Sequence, residues 1–190
     1  LNQFMDTKSI LGGCIEKIVP GVEATTGSCG HGLSIAAGIA LSLKLKKKNQ
    51  KVLVIVGDGE HGEGSVWEGA LSISRHRLDN LVIIVDYNKI QALSKLKDAL
   101  PLESLPKKFK AFNCNCIEVK DGHSFKSLVK GFKKIKNLGK PNVIILHTIK
   151  GKGIKEFEND PIWHARQLKG KEIEIGKKRL KIKWEEDLEN

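Results

Sequence analysis

One carboxylate set between glycines, Gly57-Asp58-Gly59, and one amide in the turn Asp86-Tyr87-Asn88 are the groups best suited to hold a charged ligand. Each follows a short apolar run, Val52 to Val56 in the first case and Leu81 to Val85 in the second. Glycine lets a backbone come close to a ligand. From Gly57 to Gly62 the sequence GDGEHG matches G-x-G-x-x-G, and Asp86 closes the next apolar run, which is the layout of a dinucleotide-binding fingerprint. Asp58 argues against that reading, because a carboxylate inside the turn repels a pyrophosphate unless a cation lies between them. Mg²⁺ resolves the conflict by taking one or two protein oxygens together with phosphate oxygens and water. Asn88 offers a neutral oxygen to the same ion. The residues therefore favour a metal–diphosphate site over a bare NAD site.

Two apolar runs joined through a helix must place these turns. Val66, Ala70, Ile73 and Ser74 recur at helical spacing between the runs. The unit reads as βαβ, with parallel strands and a right-handed crossover. Both polar turns then fall at the carboxyl ends of neighbouring strands, where open α/β sheets bind ligands. Elsewhere the pattern predicts a helix from Ile35 to Leu45, a loop over 91–102, a short helix over 103–112 and a strand over 115–119. It also predicts an amphipathic helix over 124–137 with Phe125, Leu128, Val129, Phe132 and Ile135 in the core, a strand over 143–148, and a small hairpin over 170–184. The alternation implies an α/β fold: an open, mostly parallel sheet with helices on both faces.

The stretch GDGEHGEGSVWEGAL…LDNLVIIVDYNKIQ resembles the transketolase family, as do PGVEATTGSCGHG upstream and HTIKGKG and WHARQL downstream, in the same order. The resemblance covers roughly residues 11 to 168 and four separate motifs. It implies the N-terminal, thiamine diphosphate-binding domain of a transketolase, or a split N-terminal subunit, with the thiamine diphosphate-binding fold. Residues 1–168 would form that domain, truncated at its N-terminus, and 169–190 a C-terminal extension. Asp58, Asn88 and the Ile90 carbonyl would hold Mg²⁺ (or Ca²⁺ or Mn²⁺) on the diphosphate. Gly27, Ser28, Cys29, Gly57 and Gly59 would shape the cofactor pocket. Lys150 and His164 would neutralise and orient phosphate, with His164 assisting proton movement as the catalytic residue. Glu63 and Glu68 match acids at a subunit interface near the cofactor. Two positions depart from the family: Cys14 stands where a substrate-contacting His is usual, and Cys29 where Leu is usual.

The resemblance further implies a transferase that moves a two-carbon ketol unit between sugar phosphates in carbohydrate metabolism, the pentose phosphate type of reaction. The glutamate that activates the cofactor would come from a C-terminal transketolase subunit, in a homo- or hetero-oligomer built from dimers. Three alternatives stay open at this point: a 2-oxo acid dehydrogenase or decarboxylase component, a degenerate binding module, and a distant Rossmann dehydrogenase.

Composition limits the rest. The 190 residues suit one α/β domain. The net charge of +11 is spread along the chain as lysine, aromatics make up only 5%, and no nucleic-acid motif accompanies them, so the charge reads as a solvated surface without a nucleic-acid partner. No apolar run approaches the roughly 20 residues of a membrane span, and no signal peptide opens the chain, so no membrane partner is expected. The cysteines (Cys14, Cys29, Cys114 and Cys116) form no disulfide framework or zinc spacing, which makes the cytoplasm the default. Cys114 and Cys116 are expected in or beside a strand, on opposite faces.

Overall fold

The structure is a computed structural model that describes residues 3–92, 94–102 and 104–181. Its β-branched runs form four parallel strands, β1 (Val52–Gly57), β2 (Leu81–Tyr87), β5 (Asn115–Val119) and β6 (Asn142–His147), in the order β1-β2-β6-β5. The register aligns Gly57 with Asp86 and Asp86 with Leu146, so the turns after β1, β2 and β6 leave from one edge. The sheet is open and parallel, as expected.

Helices cover both faces. On the first, α1 (His31–Leu45), α2 (Gly64–Arg75) and α4 (Leu105–Ala111) bury Leu33, Val66, Ile73 and Phe109 against Leu81, Ile83 and Ile145. On the second, Val82, Ile84, Ile117, Val119 and Ile144 pack with Phe132 and Ile135 at and beyond the end of α5 (Phe125–Phe132). That α5 is shorter than the predicted 124–137 helix, and its amphipathic stripe is only partly used. Phe132 and Ile135 reach the core, whereas Phe125 and Val129 are exposed.

Three further expectations are corrected. The 91–102 segment is not plain loop: β3 (Ile90–Gln91) pairs antiparallel with β4 (Ser94–Lys95), and α3 (Leu96–Ala99) follows. The hairpin over 170–184 is replaced by α6 (Lys171–Leu180), while 182–184 lie outside the described residues. Glu172 and Glu174 begin this helix and Lys177, Lys178 and Arg179 end it, the arrangement that suits a helix dipole. The apparent alternation of period two was misleading because Ile173 and Leu180 are also one helical face apart. Lastly, Cys114 and Cys116 do not face opposite ways. Residues two apart in a strand share a face, and both pack against the first-face core.

Burial raises the Cys114 thiol to about 12 and the Cys116 thiol to about 11, so both stay protonated at neutral pH. Cys14 and Cys29 are exposed. Iodoacetamide on the native protein is therefore expected to label Cys14 and Cys29 and to spare Cys114 and Cys116, a pattern read by peptide mass spectrometry. Among the described residues no helix is long and apolar enough to cross a membrane.

Candidate functional site

The turn after β1 is built around Asp58, which is 1% exposed. Its Oδ1 accepts the Gly59 amide at 2.8 Å, and its Oδ2 accepts the Lys89 amide. The Lys89 side chain turns instead to the Tyr87 ring, 5.6 Å away. Burial pushes the Asp58 carboxyl up to about 6, the Asp86 charge adds to this, and the Lys89 and Gly59 amides only partly offset it. On the adjacent turn, Asn88 Oδ1 accepts the Ile90 amide at 2.9 Å and Asn88 Nδ2 faces Asp86 Oδ2 at 3.4 Å. The Asp58 amide donates to the Asp86 carbonyl at 3.1 Å, which locks the two turns together.

These residues fit a hard divalent cation. Each oxygen of Asp58, and that of Asn88, accepts one backbone amide and keeps a lone pair. A buried carboxylate with a second acid nearby is the group a cation would relieve. The set contains one carboxylate, one amide oxygen and one carbonyl, Ile90. Consistently, no group of three or more His, Cys, Asp or Glu side chains poised for a metal occurs among the described residues.

Other predicted residues gather at the same edge of the sheet. Thr148 Oγ1 donates to Asp86 Oδ1, and the Thr148 amide to the Tyr87 carbonyl at 3.3 Å. Lys150 thus starts its loop beside the turn after β2. The Pro161–His164 turn lies next to β3 and carries His164 on its exposed side. Behind it Trp163 meets Phe157 at 4.2 Å between ring centres, and Arg166 lies 4.5 Å over the Trp163 ring. Gly27, Ser28 and Cys29 form an exposed loop whose last neighbour, Gly30, is buried. Cys14 Sγ rests against Gly27, 2.9 Å from where a Cβ would stand. Glu63 and Glu68 are exposed on α2 and its cap.

Cavities of about 270, 420 and 290 Å³ lie elsewhere, at Lys110–Lys140, at Lys44–Asn137 and between α1 and α2. The candidate residues line an open edge instead.

Sequence reasoning passed over Glu60, Ser65 and Thr148. Glu60 accepts the Gly30 amide at 2.7 Å and the Gly57 amide at 3.2 Å, and Ser65 Oγ donates to the Gly30 carbonyl at 3.1 Å. The one signal was for Glu60, which directly follows the Gly57-Asp58-Gly59 turn. Four other histidines have local roles. His61 Nδ1 donates to the Gly57 carbonyl at 2.9 Å, His123 Nε2 accepts the Ile149 amide, and His147 pairs with Glu118. His76 caps α2.

His61 has a testable consequence for stability. It is 1% exposed, and burial holds its imidazole below the usual value, which the Gly57 carbonyl only partly counters. Below about pH 6.5 the unfolded chain binds a proton that the folded chain refuses, so this residue removes stability as pH falls. Asp58 acts in the opposite sense, since its raised carboxyl binds a proton more readily in the fold as pH falls through about 6. His61→Asn is therefore expected to lose less melting temperature than the wild type between pH 7.5 and pH 5. The slope, read by scanning calorimetry in the two proteins, is the test.

Residues 1–189 match the family described as transketolase, thiamine diphosphate binding domain. The chain is 42% identical to one subunit of an apulose-4-phosphate transketolase from Actinobacillus succinogenes over 179 residues, 94% of this chain and 64% of that protein. It is 37% identical to one subunit of a 6-deoxy-6-sulfo-D-fructose transketolase from a Clostridium species, over 82% of this chain and 56% of the relative. The chain thus spans less than two thirds of the length of these relatives. Its fold superposes on the crystal structure of transketolase from Campylobacter jejuni with a TM-score of 0.87 at 27% identity, covering 94% of this chain and 29% of the other.

Proposed function

The chain belongs to the transketolase family as its thiamine diphosphate-binding domain, and from that premise we propose that it is the N-terminal subunit of a Mg²⁺-dependent transketolase. The reaction is transfer of a two-carbon ketol unit between sugar phosphates. What supports this reading is that buried Asp58 accepts the Lys89 amide and so lies against the Asn88–Ile90 turn, at the carboxyl ends of β1 and β2.

When bound, thiamine diphosphate supplies the nucleophilic carbon that lets a carbon–carbon bond break and re-form. The chain binds and orients it. Asp58, Asn88 and the Ile90 carbonyl hold the divalent cation, Mg²⁺ or in its place Ca²⁺ or Mn²⁺. Gly57 has open space where a Cβ would stand and leaves room for the diphosphate, Gly59 packs closely on Gln91, Gly27, Ser28 and Cys29 line the neighbouring wall, and Lys150 offsets phosphate charge. His164, exposed toward the open side, orients substrate and holds or releases a proton at an imidazole nitrogen.

This edge is half a site. A complementary subunit must close it and supply the activating carboxylate, in an oligomer of such pairs. Relatives named as subunits of split transketolases support this. Free cysteines and a chain without a membrane-spanning helix among the described residues support a cytoplasmic enzyme. Cys14, in contact with Gly27, favours a sugar specificity unlike that of family members with His there, because a thiol is a weak partner for a sugar hydroxyl.

The test is calorimetric titration with thiamine diphosphate, with and without Mg²⁺, for the chain alone and with its partner subunit, followed by a ketol-transfer assay. Mg²⁺-dependent binding and turnover only with the partner are expected. Turnover by the isolated chain overturns the half-site reading. Binding without turnover in the assembled pair points to a degenerate module, and NAD binding overturns the metal–diphosphate reading.

A further inference from the structure

We propose that Glu60 is a positioning residue that couples the Gly27–Gly30 loop to the Gly57–Gly59 turn, so that cofactor contacts on the first depend on metal contacts on the second. The inference rests on the functional reading above for what each segment touches. The tie itself stands on geometry.

Glu60 bridges two backbone donors that are far apart in sequence. Its Oε1 accepts the Gly30 amide at 2.7 Å, and its Oε2 accepts the Gly57 amide at 3.2 Å. A carboxylate offers two acceptor oxygens and no donor, which is what two N–H groups require. Glutamine offers one oxygen and one NH₂, so it can satisfy only one of them. The bonds are charge-assisted.

Both ends of the tie are held from a second direction. Gly30 is the N-cap of α1, with φ 87° and no side chain of its own to cap the helix. The Glu60 carboxylate, from another segment, accepts the amide of the N-cap residue itself, as the acid of a capping box does, and sits at the favourable end of the helix dipole. Ser65 Oγ holds the Gly30 carbonyl. The approach is so close that a Cβ on Gly30 would stand 2.3 Å from Ser65 Oγ. At the other end, the Gly57 carbonyl accepts His61 Nδ1. Gly30 thus anchors the buried end of an exposed loop, and Gly57 precedes Asp58 directly. A shift of the Asp58 turn on binding a cation reaches the loop through one side chain.

A merely structural acid predicts a different result: loss of stability with cofactor and metal binding still coupled as before. The experiment therefore reads coupling. Amide exchange of the peptide covering 24–31 is followed in the chain assembled with its partner subunit, before and after adding Mg²⁺ and thiamine diphosphate. Thiamine diphosphate affinity is titrated with and without Mg²⁺ in wild type, Glu60→Gln, Glu60→Asp and Asp58→Ala. In Glu60→Gln the exchange is expected to rise about tenfold and the Mg²⁺-supported gain in cofactor affinity to fall about tenfold, the worth of one charged hydrogen bond. Affinity without Mg²⁺ is expected to be unchanged. Glu60→Asp, one methylene short of spanning both amides, is expected not to rescue.

Wild-type exchange and wild-type Mg²⁺ response in Glu60→Gln, with the response lost in Asp58→Ala, overturns this inference alone. A Mg²⁺ response kept in Asp58→Ala overturns the functional reading and the coupling with it. If Glu60→Gln fails to fold, Ser65→Ala loosens the same glycine while leaving Glu60 in place. A threefold or greater loss of Mg²⁺-supported affinity, about one neutral hydrogen bond, then supports the coupling, and no loss overturns it.

Discussion

Asp58→Ala is expected to abolish the Mg²⁺ dependence of thiamine diphosphate binding, weakening it by at least about 100-fold, or about 2.8 kcal/mol. Asp58 is the only carboxylate in the proposed donor set, since Asn88 and Ile90 contribute neutral oxygens. A hard dication bound by neutral oxygens alone loses most of its attraction to the protein. A second variant separates this loss from destabilisation of the fold. Alanine leaves the Gly59 and Lys89 amides without their acceptor, which costs stability of about 1–3 kcal/mol per amide left unsatisfied. Asp58→Asn keeps one acceptor oxygen and removes the charge. Both variants should lose the Mg²⁺ response, and the asparagine variant should stay closer to wild type in melting temperature. Calorimetric titration and a thermal melt of each variant give the answer. Retained Mg²⁺-dependent binding in Asp58→Asn would exclude this carboxylate as the metal ligand.

A large stability effect is also expected at Gly151→Ala. Gly151 has φ 76°, a conformation that costs an L-residue energy, and a Cβ there would stand 2.6 Å from the Phe157 carbonyl oxygen and 3.0 Å from its carbon. These are backbone atoms, so no rotamer change relieves the contact. The loop must open where Asn159 donates its amide to the Lys150 carbonyl at 3.0 Å and where buried Phe157 packs on Trp163. Destabilisation of about 2–4 kcal/mol is expected, seen as a fall of roughly 5–12 °C in melting temperature for a domain of this size. Gly153 is the control. It has φ 110°, but a Cβ there would meet only Leu180 Cδ2 at 3.5 Å, so Gly153→Ala should cost about 1 kcal/mol. Because Phe157 packs on Trp163 next to His164, the role proposed for His164 should also suffer more in Gly151→Ala than in Gly153→Ala. Equal melting temperatures for the two variants would refute the backbone-clash argument.

The difference between readable and unreadable parts follows from range. The βαβ unit was legible because Val52 to Val56 and Leu81 to Val85 are apolar runs bounded by turn residues; β2 is buried on both faces, whereas β1 leaves Leu53 and Ile55 exposed on one of them. Asp58 and Asn88 were legible as a pair because the turn chemistry is local on each side of one helix. The α6 segment was misread because ten residues of alternating charge and apolarity satisfy two periods at once, and the charge order along the helix tipped the balance. The α5 stripe was overread: Phe125 is 85% exposed, and among the described residues the second-face core takes up the stripe only at Phe132 and Ile135.

The sequence by itself determined the four strands of the parallel sheet, the polar turns at their ends, the acid flanked by glycines and the family, because each is written in residue types within one local window or one ordered set of motifs. Only the tertiary structure decided strand order, the placement of β6 beside β2 that brings Thr148 to Asp86, and the Glu60 tie between Gly30 and Gly57. Those contacts join groups distant along the chain. A hydrogen bond of that kind depends on where packing leaves a donor unsatisfied, and no periodicity or spacing along the sequence encodes it.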